Sequence, residues 1–154
     1  LKLADATRPV AQLLVRLVVG TVFLTSGWGK LHGLENVIGY FRDLGIPYPE
    51  LQAPFVAGVE FLGGAAVLLG LGTRLVVVPL AVTMVVAVAT AKWAGVEAFT
   101  DFVGLSEVDY LVMFFALFAF GAGPLSADGL AAKLLATGAQ VQPTAPHTGR
   151  AVSA

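Results

Sequence analysis

The sequence predicts an all-α, membrane-embedded four-helix bundle, with a short interfacial helix after the first span and a short C-terminal helix. Three observations carry this prediction. Of 154 residues, 57% are hydrophobic and 12% charged, against about 25% charged in a typical soluble domain. The mean hydropathy is +0.85. The apolar residues also gather into four runs, each near the ~17–25 residues a helix needs to cross about 30 Å of hydrocarbon. Continuous runs do not fit a membrane barrel, whose strands alternate over about ten residues.

The first span extends from about Val10 to Trp28 and is interrupted by Arg16. Lys2 and Arg8 precede it as in a secretory signal, but the internal arginine and the lack of a small-x-small cleavage site favour a retained helix. The sequence starts at Leu1, leaving room upstream for an initiator methionine or a short leader. Between Leu34 and Leu44, apolar residues fall at Leu34, Val37, Ile38, Phe41 and Leu44. That spacing, with charges between, predicts a short helix lying in the interface. Gly45-Ile46-Pro47-Tyr48-Pro49 ends it, since proline cannot continue a helix and restricts the residue before it.

The second span, about Leu51 to Leu71, contains Glu60. Gly70-Leu71-Gly72-Thr73-Arg74 reads as a tight turn, so the third span, Leu75 to Ala91, returns antiparallel to the second. Ser106 through Asp109 fits a capping pattern opening the fourth span, Tyr110 to Gly123. Phe114, Phe115, Phe118 and Phe120 are spread around that helix and are expected to face lipid. Asp128 is expected to cap a helix over Gly129–Leu135. The transmembrane domain is then residues 1–135, followed by a mobile Pro/Thr/Ala-rich tail over 136–154.

The formal net charge of −1 leaves no polybasic surface for nucleic acid. With no cysteine, the chain has no disulfide frame, thiol redox chemistry or thiolate metal site. Lys2, Arg8, Arg74, Lys133 and Arg150 fall on one side of the spans, and Lys30, Arg42 and Lys92 on the other. The excess of basic residues places both termini in the cytoplasm.

Two charged residues lie inside apolar runs. On a helix, Glu60 shares a face with Gly63, Gly64 and Val67, and Arg16 shares one with Gly20, Phe23 and Gly27. Small residues allow close helix approach in lipid, so Gly20, Gly27, Gly63 and Gly64 are expected to line helix contacts. Positions along antiparallel helices leave Arg16 and Glu60 about 7 Å apart axially, and a buried Arg16–Glu60 pair is the leading arrangement. Two structural alternatives stay open: Arg16 snorkelling to the surface, and a protonated Glu60 serving as a lock between helices. Ionisable groups at such depth are costly and usually mark a function, although a buried pair can also simply fix register.

At the other end of the first span, Trp28 and Lys30 read first as interface anchors, with Tyr48 a further aromatic anchor. Lys30 is alternatively a partner for an anion or for a carboxylate such as Glu107. Glu107 and Asp109 otherwise complement a helix dipole. No histidine lies within a span, so paired-histidine haem ligation is not indicated. His32 and His147 have no metal-ligand companions at useful spacing. The glycine pairs at Gly27/Gly29 and Gly70/Gly72 lack the preceding strand and third glycine of a dinucleotide loop.

Four stretches together resemble one family. "RLVVGTVFLTSGWGKLHG" (Arg16 to Gly33), "FRDLGIPYP" (Phe41 to Pro49), "VEFLGGAAVLLGLGTR" (Val59 to Arg74) and "GAGPLSADG" (Gly121 to Gly129) look like the DoxX family of small bacterial membrane proteins, over about Leu13 to Leu134. The resemblance implies four membrane helices in a bacterial plasma membrane. It places Arg16, Lys30, Glu60 and Gly63-Gly64 on the family's recurrent polar and glycine positions. Many relatives carry a histidine near the end of the third span, where this chain has Ala91-Lys92. Some are similar to subunits of thiosulfate:quinone oxidoreductase, and others partner oxidative-stress and sulfur-transfer proteins.

The resemblance therefore implies an accessory, quinone-site or membrane-anchor subunit of a redox complex. Its ligand or proton-site candidates are Arg16, Glu60, Lys30 and Glu107. Quinone would be its non-covalent ligand, and other protein chains its partners in the lipid bilayer. A structural scaffold and a small proton-coupled or anion transporter are the alternatives. No redox centre belonging to the chain itself, and no metal site, can be read from the sequence.

Overall fold

A computed structural model describes residues 2–140, with side chains over 7–136. All regular structure among the described residues is helical. The order is α1 (Lys2–His32), α2 (Leu34–Asp43), α3 (Pro49–Leu69), α4 (Thr73–Ala87), α5 (Phe99–Val103), α6 (Ser106–Phe120) and α7 (Ala127–Gln140). A π turn over Val88–Lys92 and a 3₁₀ turn over Trp93–Gly95 extend α4. Three helical stretches among the described residues are long and apolar enough to cross a membrane: Thr7–His32, Pro49–Leu69 and Thr73–Gly95. The helix at the fourth expected span, α6, runs from Ser106 to Phe120, starting before the apolar run and ending before it does, and is shorter than these three. It has 15 residues, about 22 Å at 1.5 Å per residue.

The turns follow from local chemistry. Gly70 and Gly72 take left-handed φ values of 72° and 53°, which glycine adopts without a Cβ clash. At α3's C-terminus the Gly70 and Leu71 amides donate to the Val67 and Ala66 carbonyls at 3.1 and 2.9 Å, closing the helix as the sequence predicts. Pro49 occupies the first turn of α3, where its missing N–H costs nothing.

Three local expectations are corrected. Ser106 does not cap α6: its hydroxyl donates to Glu107 Oε2 at 3.2 Å, while Leu105 occupies the cap position. Asp128 does not cap α7 either. Ser126 Oγ accepts the Gly129 amide at 3.0 Å, the usual reach to the third helical N–H, and Asp128 instead crosses to the Gly72 amide at 2.8 Å. Phe114 is buried at 2% exposure, whereas Phe115, Phe118 and Phe120 are exposed as expected. Helix α7 runs through Gln140, and the rest of the expected tail lies outside the described residues.

Helix α1 packs along α3 in the most extensive contact of the molecule, α4 packs along α6, and α3 meets α4 while α1 meets α6. Their shared core contains Val19, Phe23, Val67, Val77, Leu80, Met84, Phe114 and Leu117. Phe23 anchors it, with ring centroids 5.1 Å from Phe114 and 5.3 Å, edge-on, from Tyr110.

The close approach of α1 and α3 depends on glycine. A Cβ on Gly20 would lie 2.8 Å from the backbone nitrogen of Leu68, one on Gly27 would meet Phe61 backbone, and one on Gly64 would meet Leu24 backbone. Gly63 instead faces the Leu80 side chain of α4. These four are the predicted packing glycines, and the structure divides them between two interfaces. Replacing Gly27 or Gly64 with alanine should destabilise the protein by about 1–3 kcal/mol through overpacking. Gly58→Ala, with open space at that position, should not. Thermal unfolding in detergent measures the difference, and equal midpoints for all three would contradict the assigned helix contact.

Candidate functional site

The glycine contacts set the register of α1 against α3. Gly20 lies against Leu68, Leu24 against Gly64 and Gly27 against Phe61. Antiparallel continuation puts Glu60 level with Trp28, so its carboxylate falls between side chains one half-turn to either side. Lys30 Nζ forms an ion pair with Glu60 Oε1, and Ser26 Oγ donates to Oε2 at 2.8 Å. Glu60 is 1% exposed, so a buried carboxylate is paired and hydrogen-bonded on both oxygens, as burial of charge demands.

The expected Arg16–Glu60 pair does not form. In this register the two residues are separated along α1 by about 12 residues, roughly 18 Å of helix rise. Arg16, 2% exposed, takes nearer acceptors. Its Nε donates to Val67 O at 3.0 Å and its Nη2 to Leu68 O at 2.8 Å. Nη1 donates to Ala122 O at 3.1 Å and Leu125 O at 2.7 Å. These carbonyls belong to the last turn of α3 and to the segment leaving α6, where a helix leaves acceptors unsatisfied and its dipole is negative. Arg16 neither snorkels nor pairs with a carboxylate; it ties two helix ends together.

Lys30 is therefore bound to Glu60 and not to Glu107. Glu107 lies near Lys92, at 3.8 Å. Both pairs border one cavity of about 720 Å³ between α2 and the ends of α1, α3, α4 and α6. Apolar residues form most of its wall, including Val22, Phe23, Val56 and Met84, and Tyr110 contributes a phenol. Helix α2 roofs it with Val37, Tyr40 and Phe41, joined by Leu44 at the helix's C-cap. The predicted interfacial helix thus turns its apolar stripe onto the cavity. An exposed Arg42–Glu50 ion pair at 2.7 Å links α2 to the start of α3. The volume falls within the roughly 300–1,000 Å³ typical of small-molecule sites.

The two lysines and two glutamates bring no net charge to the cavity. An ammonium with three donors, a carboxylate and hydroxyl-bearing side chains such as Ser26 and Tyr110 can bind an oxygen of a neutral ligand and exchange a proton with it. Sequence reasoning missed Ser26 and Lys92. Ser26 is one turn before Lys30 on α1, a spacing that puts both on one face, and this was the available signal. Lys92 ends the π turn, which carries three successive residues, Thr90, Ala91 and Lys92, to the cavity wall. An ordinary helical period does not predict that; π turns within helices recur at functional sites. Of the expected anchors, Trp28 is half-exposed and packs on His32 and Phe61, with centroids at 4.1 and 5.7 Å. Tyr48 is 78% exposed and holds φ at 51° ahead of α3.

Arg16→Gln should destabilise the fold by at least about 3 kcal/mol, since each stranded buried carbonyl costs about 1–3 kcal/mol. Lys30→Met should cost about 1.5–3 kcal/mol, the worth of a hydrogen bond to a charged group. Adding Glu60→Gln to Lys30→Met should recover part of that loss. Unfolding midpoints across this double-mutant cycle measure the coupling, and additive losses would disprove the Lys30–Glu60 link.

The model of the family described as DoxX matches residues 11–93. The chain is 35% identical to "Putative oxidoreductase CatD" of Bacillus subtilis (strain 168), over 68% of this chain and 72% of that protein. It is 33% identical to a protein of Mycobacterium tuberculosis named as a membrane protein, over 80% of this chain and 81% of the relative. It is also 37% identical to the inner membrane protein YqjF of Escherichia coli (strain K12), over 42% of this chain and 48% of that protein. No solved structure matches. A membrane protein by composition, helix length and relatives, the chain belongs to the DoxX family.

Proposed function

We propose that the chain is a quinone-binding membrane subunit of a redox complex, and that the cavity beside Lys30 and Glu60 is its ligand site. The observation that carries this reading is the buried Glu60 carboxylate, held by Lys30 and Ser26 at the wall of a largely apolar cavity. Apolar walls suit a hydrophobic ring and its isoprenoid tail. The ammonium suits a quinone oxygen, and a carboxylate in a low-dielectric setting suits transfer of the proton that accompanies reduction. Quinones are delivered from the bilayer, which matches a site enclosed by membrane helices.

In this reading α6 is the fourth span, completing a transmembrane four-helix bundle, and both termini face the cytoplasm of a bacterial inner membrane. The name of the Bacillus relative supports oxidoreductase company for the chain. Electrons would come from a partner chain, because no redox centre can be read in this sequence.

Isolation from native membranes in gentle detergent tests the proposal in one preparation. Extractable quinone is expected at near-stoichiometric amounts together with a dehydrogenase or oxidase chain. Lys30→Met and Glu60→Gln should each lower bound quinone by about tenfold, the equivalent of one hydrogen bond to a charged group. A quinone-free homo-oligomer with no copurifying chain would reject the reading and favour a scaffold or transporter.

A further inference from the structure

The opposite end of the molecule holds a second cavity, of about 330 Å³, where the α3–α4 turn, the first turn of α4, the exit of α6 and the start of α7 meet. Thr73 lies in its wall. This residue is 1% exposed, and its hydroxyl is the buried side-chain polar atom among the described residues with no hydrogen-bond partner. Buried polar groups are almost always satisfied, so an orphan at a cavity wall points to a partner that a ligand supplies. Arg74, adjacent on α4, also lines the cavity and donates from Nη2 to Ala119 O at 3.2 Å. A guanidinium has five donors in a planar fork, so most of its capacity is left. The Thr73 and Arg74 amides are at the first two positions of α4, where no carbonyl one turn back can accept them.

The charges around the cavity favour an anion. Arg8 stacks over Phe120, a wall residue, with its guanidinium carbon 5.8 Å from the ring centroid. Asp128 is the acidic residue of the wall, and its carboxylate accepts the Gly72 amide at 2.8 Å. It also lies close enough to Arg16 for the two charges to attract. Asp128 is thus held at the turn, while Arg74 has no acidic partner among the ion pairs of the described residues. A guanidinium fork, a hydroxyl and helix-terminal amides in one cavity wall suit a tetrahedral oxyanion. Leu75 and Phe120 line the same cavity and are 80% and 61% exposed, giving apolar surface beside the polar pocket.

We propose that Thr73 and Arg74 bind a phosphate group in this cavity, at the membrane surface opposite the Lys30–Glu60 site. The phosphate has two possible sources, an anionic phospholipid headgroup and free inorganic phosphate. Basic pockets between membrane helices bind such headgroups, and the flanking apolar surface can seat acyl chains. The proposal is independent of quinone binding at the other cavity.

Native mass spectrometry of the delipidated full chain in detergent tests it, with phosphatidylglycerol, phosphatidylcholine and inorganic phosphate as probes. The wild type should retain phosphatidylglycerol at least about fivefold better than phosphatidylcholine. Arg74→Gln should reduce that preference by about tenfold and Thr73→Val by about threefold. Arg42→Gln, at the other end of the molecule, should leave it unchanged. The near-isosteric Thr73→Val keeps the test valid where Arg74→Gln does not fold. Displacement of phosphatidylglycerol by millimolar inorganic phosphate would assign the site to free phosphate, and persistence would assign it to lipid. Equal retention of both lipids with no phosphate binding, or retention that survives both Thr73→Val and Arg74→Gln, would overturn the proposal.

Discussion

The rest of the structure depends on how backbone carbonyls at helix ends are satisfied away from water. In hydrocarbon each unpaired peptide group is costly, so helix ends near the apolar region need internal donors. Arg16 supplies them, giving hydrogen bonds to Val67 and Leu68 in α3 and to Ala122 and Leu125 beyond α6. Gln12 reinforces the same end through Phe120 O at 3.0 Å. One buried cation thereby fixes the first helix against two later ones, and a lysine, with its single ammonium and different geometry, could not reach all four acceptors as a planar fork does. Arg16 is accordingly a structural clasp, removed from the ligand-site role that its depth in the first span suggested.

The clasp and the glycine contacts have a consequence at the other end of the molecule. Because α1 is held against α3 in one register, Glu60 comes level with Ser26 and Lys30 and not with Arg16. A shift of one helical turn would separate the carboxylate from its ammonium and leave a buried charge alone. Sequence separation conceals this coupling: the clasp at Arg16 and the pair at Lys30 lie on one helix four turns apart, and packing transmits the constraint between them. The polar pair, the π turn that presents Lys92, and the roof formed by α2 then enclose a cavity with apolar walls and a few convergent polar groups. That composition is the general form of a ligand site.

Much of this was legible beforehand. Composition marked the solvent as lipid, because 57% hydrophobic and 12% charged residues cannot cover a soluble surface of ordinary polarity. Runs of apolar residues placed four spans, three of which are helices long and apolar enough to cross a membrane, and Gly70 and Gly72 located the hairpin because only glycine takes the required left-handed backbone cheaply. Helical offsets put Glu60 on the same side as Gly63 and Gly64, and both glycines do face neighbouring helices. The caps were less legible: Ser106 and Asp128 fit a local pattern, but the adjacent Glu107 carboxylate took the Ser106 hydroxyl and the distant Gly72 amide took Asp128. Ser26 was missed although its one-turn spacing from Lys30 put both on one face, and Lys92 because the π turn that presents it breaks the ordinary helical period.

The sequence by itself determined the medium, the helical class, the turn between the second and third spans, and the presence of two ionisable residues within apolar runs. Those properties depend on residues near one another in the chain, through hydrophobic length, helical period and backbone preference. Only the tertiary structure decided which partner each buried charge takes. That choice depends on the axial register of α1 and α3, and a fraction of a turn in register changes which side chains meet. Helix spacing of the glycines predicted a close approach but not its register, since the same stripe could slide by a turn. The backbone contacts of Gly20, Gly27 and Gly64 remove that freedom, and with it they pair Glu60 with Lys30 and leave Arg16 to the carbonyls.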